Sequence, residues 1–469
     1  MSERVRDVVA TKPHEKVKVI VTYRQSPGLE GEDKIKGKGG QVNKKFTSIR
    51  GHAIEVPVRE VESLLEQNPN IAHASLDEPV AAATAASLPS PVGDAYPELA
   101  SLPYTGNGVG VAILDSGFKT NPDLKSIKLA VSFIGGKVDD LYGHGNHVGG
   151  IVASTGAFSN GFYRGIAPKA SIISLRVLDD KGVGLTSNVI AALDWILANK
   201  AAYNIRVANL SLGRPVVEAA ATDPLVRAVE RVWDAGVVVV CSAGNRGRDG
   251  YGATTSPRNS RKVITVGSVT TWGDGDSRND IVSTFSARGP TLIDRFVKPD
   301  LLAPANRAIS IRSKDSYLEK NESARLIKAP GKATAKHFQL SGTSMAAAVV
   351  SGAVALMLEK DPSLTPATVK ARLMRSAKKV DFPDVFATGA GLLDITTAAL
   401  AATGTASQAP SPKVQRDTTR GMMGFEDTAR LRGGSQWALG YLWSDGTLWS
   451  DGTLWSDRST TSDHVLVDD

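Results

Sequence analysis

Gly110-Val111-Ala112-Ile113-Leu114-Asp115-Ser116-Gly117 opens with an apolar run that shows no polar alternation. Such a run reads as a strand buried on both faces, as in a parallel sheet covered by helices. It stops at a carboxylate, Asp115, at the carboxyl end of the strand, where open α/β sheets place their ligands. Similar apolar strands are read at Ser171 to Leu178, Val207 to Leu212 and Val237 to Ser242, with helical patterns between them at Ser187 to Asn199 and Pro224 to Asp234. Helices recur at Thr343 to Glu359 and at Pro366 to Ala377, the latter opened by a Thr365 cap with proline at the first helical position. The alternation predicts an α/β fold over about 99–402: a mostly parallel twisted sheet with helices on both faces.

On the amino-terminal side, residues 1–80 read as a small α+β unit. Val17 to Tyr23 is strand-like, Gly28 to Gly40 is glycine-rich and charged, and Val58 to Gln67 carries Val61, Leu64 and Leu65 at helical spacing. Val80 to Pro89 is rich in Ala and Ser and poor in charge, so 81–98 is expected to be a linker. After Thr403 the composition shifts to Ala, Ser, Pro, Gly and charge, and 403–469 is expected to be a flexible tail. Within it the unit Leu442-Trp443-Ser444-Asp445-Gly446-Thr447 recurs from Leu448 and again, shortened, from Leu454.

Bulk composition is that of ordinary soluble globular material. With 469 residues the chain is long enough for one large domain and smaller pieces. The net charge is +7, but the basic residues are scattered rather than gathered into a stripe, so no nucleic-acid partner is indicated. The single cysteine, Cys241, cannot pair within the chain and lies in an apolar run, where a buried structural thiol is expected. Met1 to Thr11 lacks the apolar core of a secretory signal, and no apolar run reads as a membrane span.

Three further segments carry chemistry. His144 opens Gly143-His144-Gly145-Asn146-His147-Val148-Gly149-Gly150, whose glycines let backbone and substrate approach closely. Ser344 lies in Ser341-Gly342-Thr343-Ser344-Met345-Ala346, just before a long apolar helix, where the helix dipole favours negative charge. Asn245 follows an apolar strand in Ser242-Ala243-Gly244-Asn245. Hydrolysis of an amide needs a hydroxyl, an imidazole, an orienting carboxylate and donors for an oxyanion, and these four segments supply one of each.

Together, and in the order Asp, His, Ser, these segments resemble the signatures of the subtilisin-like (subtilase) family. The resemblance implies a serine endopeptidase that needs no cofactor for its chemistry. It implies Asp115, His144 and Ser344 as catalytic triad, Asn245 as oxyanion donor, and Ser211-Leu212-Gly213, Gly182, Gly184 and Gly244 as substrate-binding positions. An extended peptide held as an added strand is read backbone first, so broad specificity is expected. Residues 16–80 resemble the family's inhibitory pro-peptide, which implies a zymogen cut by itself between Val80 and Pro89, with the pro-peptide as intramolecular inhibitor. Polypeptide substrates, a monomer and secretion are expected on the same ground. Asp123 and Asn160 resemble positions of a calcium site, so a structural calcium ion is a further expectation. By alignment Arg246 and Thr255 fall near the primary specificity pocket, which implies tolerance of an acidic residue before the scissile bond.

Some residues depart from the family or carry plainer readings. Asn146 replaces a threonine, Gly149 an alanine, and Ala347-Ala348-Val349 lacks the usual proline and histidine. Gly149 is expected to loosen its helix, since glycine costs about 1 kcal/mol there relative to alanine. His147 is read as structural, His73 and His337 as surface or packing residues, Asp300 as a turn acid, and Arg312 to Lys336 as a solvated loop. A peptide-binding pseudo-enzyme, or a display role for the tryptophan tail, are the other function classes.

Overall fold

The computed structural model describes residues 1–12, 14–82, 96, 99, 101–272, 279–378, 384–401, 404–417 and 422–425. The first unit comprises α1 (Glu3–Thr11), β1 (Lys16–Tyr23), α2 (Leu29–Gly37), β2 (Gln41–Phe46), β3 (Gly51–Pro57), α3 (Val61–Glu66) and β4 (Ile71–Leu76). Its strands pair antiparallel in the order β2-β3-β1-β4. Alternate residues of β1 and β3, Val19, Val21, Ile54 and Val56, pack on Leu64 of α3 and Val5 of α1 to form a separate small core. The next strand, β5 (Pro79–Ala82), leaves this sheet for another. Val80 to Ala82, expected as linker, are therefore strand, while 83–95 lie outside the described residues.

The larger unit begins with β6 (Gly110–Asp115), β7 (Ile127–Ser132), α4 (His144–Ala153), β8 (Ser171–Arg176), β9 (Val183–Leu185) and α5 (Thr186–Asn199). It continues through β10 (Ile205–Leu210), β11 (Leu212–Gly213), α6 (Pro224–Asp234), β12 (Val238–Ser242), β13 (Ile264–Thr270), β14 (Ile281–Val282) and β15 (Leu301–Pro304). The remaining elements are β16 (Ala308–Ile311), α7 (Tyr317–Asn321), β17 (Leu326–Ile327), β18 (His337–Leu340), α8 (Thr343–Lys360) and α9 (Pro366–Ser376). The main sheet runs β14-β13-β12-β10-β6-β8-β7, with β15 also on β13, and every pair is parallel except β13 with β14. This is the predicted subtilisin-like α/β architecture.

Local chemistry accounts for the helix boundaries. Asp223 caps α6 by accepting from Leu225 N and Val226 N, with Pro224 in the first turn, and Thr365 caps α9 through Thr368 N. Helix α8 is apolar all round because the sheet and α4 enclose it. Its 18 residues are long and apolar enough to cross a membrane, contrary to the sequence reading, but the helix is almost wholly buried in the core.

Several expectations are refined or corrected. Arg312 to Lys336 is exposed along much of its length, as expected, but it is also anchored: Leu318 is buried, Tyr317 N donates to Leu141 O at 2.8 Å, and Ser313 Oγ donates to Asp140 O at 2.6 Å. The segment braces the chain just before His144. Asp300, read as a structural turn acid, is fully buried and paired with Lys298 at 2.8 Å and Lys370 at 3.0 Å. The tail does not begin at Thr403, because Ser411 Oγ donates to Asp300 at 2.6 Å, Val414 is buried, and Val414–Asp417 pairs with Met422–Phe425. The tryptophan repeats lie outside the described residues. His73 and His337 are packing residues: His73 bonds Glu218 at 2.9 Å, and the Tyr163 ring lies 4.6 Å from that of His337. Cys241 is buried, as expected.

Gly149 also has a role the sequence concealed. A Cβ there would lie 2.1 Å from Cε1 of the buried Phe118 ring, so the glycine is demanded by packing against the segment that follows Asp115. Gly149→Ala should therefore lower stability by about 1–3 kcal/mol despite its better helix propensity, as overpacked cores do. Denaturant unfolding of Gly149→Ala, Phe118→Leu and the double variant checks this, with the double variant recovering part of the loss; a more stable Gly149→Ala would refute the steric account.

Candidate active site

Asp115 ends β6, and its fully buried carboxylate holds His144 Nδ1 at 2.8 and 2.9 Å. Its Oδ1 also accepts from Ser116 N at 2.7 Å. His144 is the first residue of α4, and that helix start is held by an acid the sequence reading missed. Asp140 Oδ1 accepts from Gly143 N at 2.7 Å and from Ser116 Oγ at 2.8 Å, while Oδ2 accepts from Asn146 N at 2.8 Å. Ser116 Oγ in turn accepts from Gly145 N at 3.0 Å. Orphan amides of the first helical turn are thus satisfied by one carboxylate, which also suits the helix dipole. An acid shortly before a helix start was the available signal, but its reach to Ser116 was not.

The electrostatics follow from burial. Desolvation pushes Asp140 up to about 6, against the hydrogen bonds that favour its ionised form. For His144, burial pulls downward, but the charge and hydrogen bond of Asp115, with a smaller contribution from Asp140, more than offset it, so the ring lies above its ordinary value. His144 Nε2 is buried and has no hydrogen-bond partner among the described residues.

Ser344 is the second residue of α8. Its Oγ donates to Ser211 O at 3.1 Å, and Ser211 Oγ donates to Ser344 O at 3.0 Å, which ties the helix start to the end of β10. Asn245, just after β12, is held through its oxygen: Oδ1 accepts from Thr343 N and Thr343 Oγ1, each at 3.0 Å. Its Nδ2 is consequently left buried with no partner among the described residues. Thr343, which sequence reasoning did not single out, also accepts Gly244 N at 2.9 Å.

Beside this cluster, β5 lies between β9 and β11 as the centre of a three-stranded sheet. Ala82 faces Leu212, Ala81 faces Gly213 and Val183, and Val80 faces Gly184, while Ala82 N donates to Gly182 O at 3.1 Å. The segments that sequence reading assigned to holding an extended peptide thus hold the chain's own strand. The first unit is anchored near by: Asp194 of α5 accepts from Thr47 N and Ser48 N at 2.9 Å, and Asp77 accepts from Ser187 N at 2.9 Å.

Two expectations fail. Arg246 does not face a pocket; its side chain is 65% exposed and paired with Asp249 at 2.7 Å. Nor do Asp123 and Asn160 fit calcium, which takes six to eight oxygens. Asp123 Oδ1 accepts the Phe158 amide at 2.8 Å, and Asn160 Oδ1 accepts the Lys332 ammonium at 2.8 Å, so a cationic side chain already occupies the asparagine oxygen. Burial raises the Asp123 carboxyl above its ordinary value, and His337 lies 3.8 Å from it. His147 is structural as expected, with Nε2 within 3.1 Å of both Ala308 O and Phe338 O.

Comparison with known proteins identifies the family to which this fold belongs. Residues 106–400 match the subtilase family. The chain is 35% identical to serine protease AprX of Bacillus subtilis (strain 168) over 398 residues, covering 80% of this chain and 86% of that protein. It is 32% identical to subtilisin E of the same organism over 401 residues, 83% of this chain and 92% of that one. Fervidolysin from Fervidobacterium pennivorans, described as a keratinolytic enzyme related to subtilisin, shares the fold, with a TM-score of 0.66 at 20% identity. The match covers 85% of this chain and 62% of fervidolysin.

The His144 environment can be tested directly. Nuclear magnetic resonance of the imidazole should give a titration midpoint above the ordinary histidine value of about 6.5. With the folded value raised, the stability contributed by the Asp115 contact is present below about pH 6.5 and lost as pH rises through the midpoint. In Asp115→Asn the dominant remaining influence is burial, and the midpoint should fall below the ordinary value; an unmoved midpoint would contradict the assigned cause.

Proposed function

The chain belongs to the subtilase family of serine endopeptidases, and we propose that Ser344 is its nucleophile, His144 its general base and acid, Asp115 the carboxylate that orients the base, and Asn245 an oxyanion donor. The observation that carries this reading is that the two atoms the chemistry requires free, His144 Nε2 and Asn245 Nδ2, are buried and have no partner among the described residues, while the rest of both side chains is tied down. The Ser344 hydroxyl leaves the Ser211 carbonyl, passes its proton to His144 Nε2 and attacks the scissile carbonyl. The resulting oxyanion is met by Asn245 Nδ2–H and the Ser344 backbone N–H. Collapse expels the amine, which takes the proton from His144 and leaves an acyl group on Ser344. Water, deprotonated by the same imidazole, then releases the acid and restores the hydroxyl. No cofactor enters these steps.

Ser211, Leu212, Gly213, Gly182, Gly184 and Gly244 form, in this reading, the surface that takes substrate backbone as an added strand. Selectivity along most of the strand is then broad. Polypeptides are the substrates, and the enzyme works outside the cell, as the family resemblance implies. The first unit is an inhibitory pro-peptide whose β5 fills the cleft. Gly213 faces Ala81 and Leu212 faces Ala82, the last described residue of β5, and the residue before Leu212, Ser211, meets the Ser344 hydroxyl through its carbonyl. The processing site in this reading lies between Val80 and Pro89.

Asn245→Leu should lower kcat by about 10²–10³-fold with little change in KM, the loss found for subtilisin's own oxyanion donor. Steady-state kinetics on a peptide substrate measure it, and an effect confined to KM would remove Asn245 from that role. Processing is read by intact mass. Purified wild type should lose a fragment ending between Val80 and Pro89 and Ser344→Ala should stay whole; an uncut but active wild type, or a Ser344→Ala chain that cuts itself in that segment, defeats the zymogen reading.

A further inference from the structure

Among the described residues, Arg258 is a buried cationic group beside the cleft that the reaction above leaves unused. Its side chain is among the largest fully buried ones in the chain. One guanidinium nitrogen, Nη2, donates to Leu212 O at 2.6 Å, on the strand that holds β5. The guanidinium also lies where two glycines leave room. A Cβ on Gly213 would meet Nη2 at 2.1 Å, and a Cβ on Gly244, the neighbour of Asn245, would meet Nη1 at 2.7 Å. The group therefore spans the gap between the segment that pairs with substrate backbone and the segment that carries the oxyanion donor. A side chain preceding the scissile bond has to enter that gap.

The charge there is not neutralised. Among the described residues no carboxylate lies within ion-pair distance of Arg258, whereas the other fully buried basic side chains, Arg214, Lys298 and Lys370, each have one. Its Nε is buried without a hydrogen-bond partner. Burial lowers its pKa to about 10, so it is still charged at neutral pH. A buried cation without a counter-ion is costly, and guanidinium is the side chain whose planar fork best matches a carboxylate. The fold leaves this one uncompensated at the place where substrate arrives.

We propose that Arg258 forms the floor of the subsite for the residue preceding the scissile bond and selects a carboxylate there, so that the protease cuts preferentially after glutamate or aspartate. The proposal rests on Ser344 being the nucleophile of this cleft. The chain's own segment from Val80 to Pro89 brings no carboxylate. Intramolecular delivery of β5 at high effective concentration compensates for that missing contact during processing. The acidic tolerance expected around Arg246 thus moves to a different residue with a defined geometry.

The test uses the processed enzyme and peptides Val-Ala-Ala-X followed by a common leaving group, with X as Glu, Gln, Ala, Phe or Lys. kcat/KM for Glu should exceed that for the isosteric Gln by roughly 10- to 100-fold, the worth of a hydrogen bond to a charged group. In Arg258→Met the ratio should fall to about one and Phe should gain. The wild-type ratio stands by itself should that variant not fold. A second reading is the pH profile, in which the preference for Glu over Gln declines as Arg258 loses its proton near pH 10. A Glu to Gln ratio of one or less overturns the proposal, as does fastest cleavage after Ala with Glu refused, which would make the guanidinium a plug. Ser344→Ala separates the two levels of argument: cleavage that survives it sinks the active-site reading, whereas Ser344-dependent cleavage indifferent to the charge of X sinks only the subsite.

Discussion

Two carboxylates, Asp115 and Asp140, are buried within one small region, joined through Ser116, and the structure around the site follows from satisfying their oxygens there. A buried charge is tolerated only when its lone pairs are filled. Filling them takes amides from Ser116, Gly143 and Asn146, the Ser116 hydroxyl and the His144 ring. Those bonds fix the turn after β6 and the start of α4 relative to each other. The imidazole is held in place because the carboxylates beneath it have no other way to be solvated.

The same economy operates at α8. Gly342 precedes the helix at a bend, Thr343 bonds both Gly244 and Asn245, and Ser344 bonds Ser211. One helical turn therefore links the ends of β10 and β12, and the all-apolar remainder of α8 is locked by close packing on the sheet. Gly352 shows how tight that packing is, since a Cβ there would lie 2.6 Å from Ile166 Cβ. Any shift of α8 would move Ser344 and release Asn245 together.

The cleft is occupied by the chain itself. β5 completes a sheet with β9 and β11, and the first unit is pinned by Asp77 at the amino end of α5 and by Asp194 within that helix. Glu78 reaches Arg214 at 3.3 Å, and His73 and Ser75 reach Glu218 at 2.9 Å. Such polar, charge-bearing contacts resemble a separable interface more than a continuous core. Arg258 lies beneath this sheet through its bond to Leu212 O.

What the sequence determined by itself was what short-range chemistry dictates. A strand with no polar alternation must be covered on both sides, so Gly110 to Leu114 announced the parallel sheet. Asp115, His144, Ser344 and Asn245 stood out because each sits at a strand end or helix start in a local context of glycines and small residues. Asp140, Thr343 and Arg258 could not be seen in that way, because their roles depend on atoms brought together by the fold: Arg258 on Leu212, Asn245 on Thr343, Asp140 on Ser116. Gly149 was misread for the same reason, since helix propensity is local and Phe118 is not. Tertiary structure alone decided which buried polar groups found partners, because desolvation is imposed by the whole fold while each partner comes from a distant part of the chain.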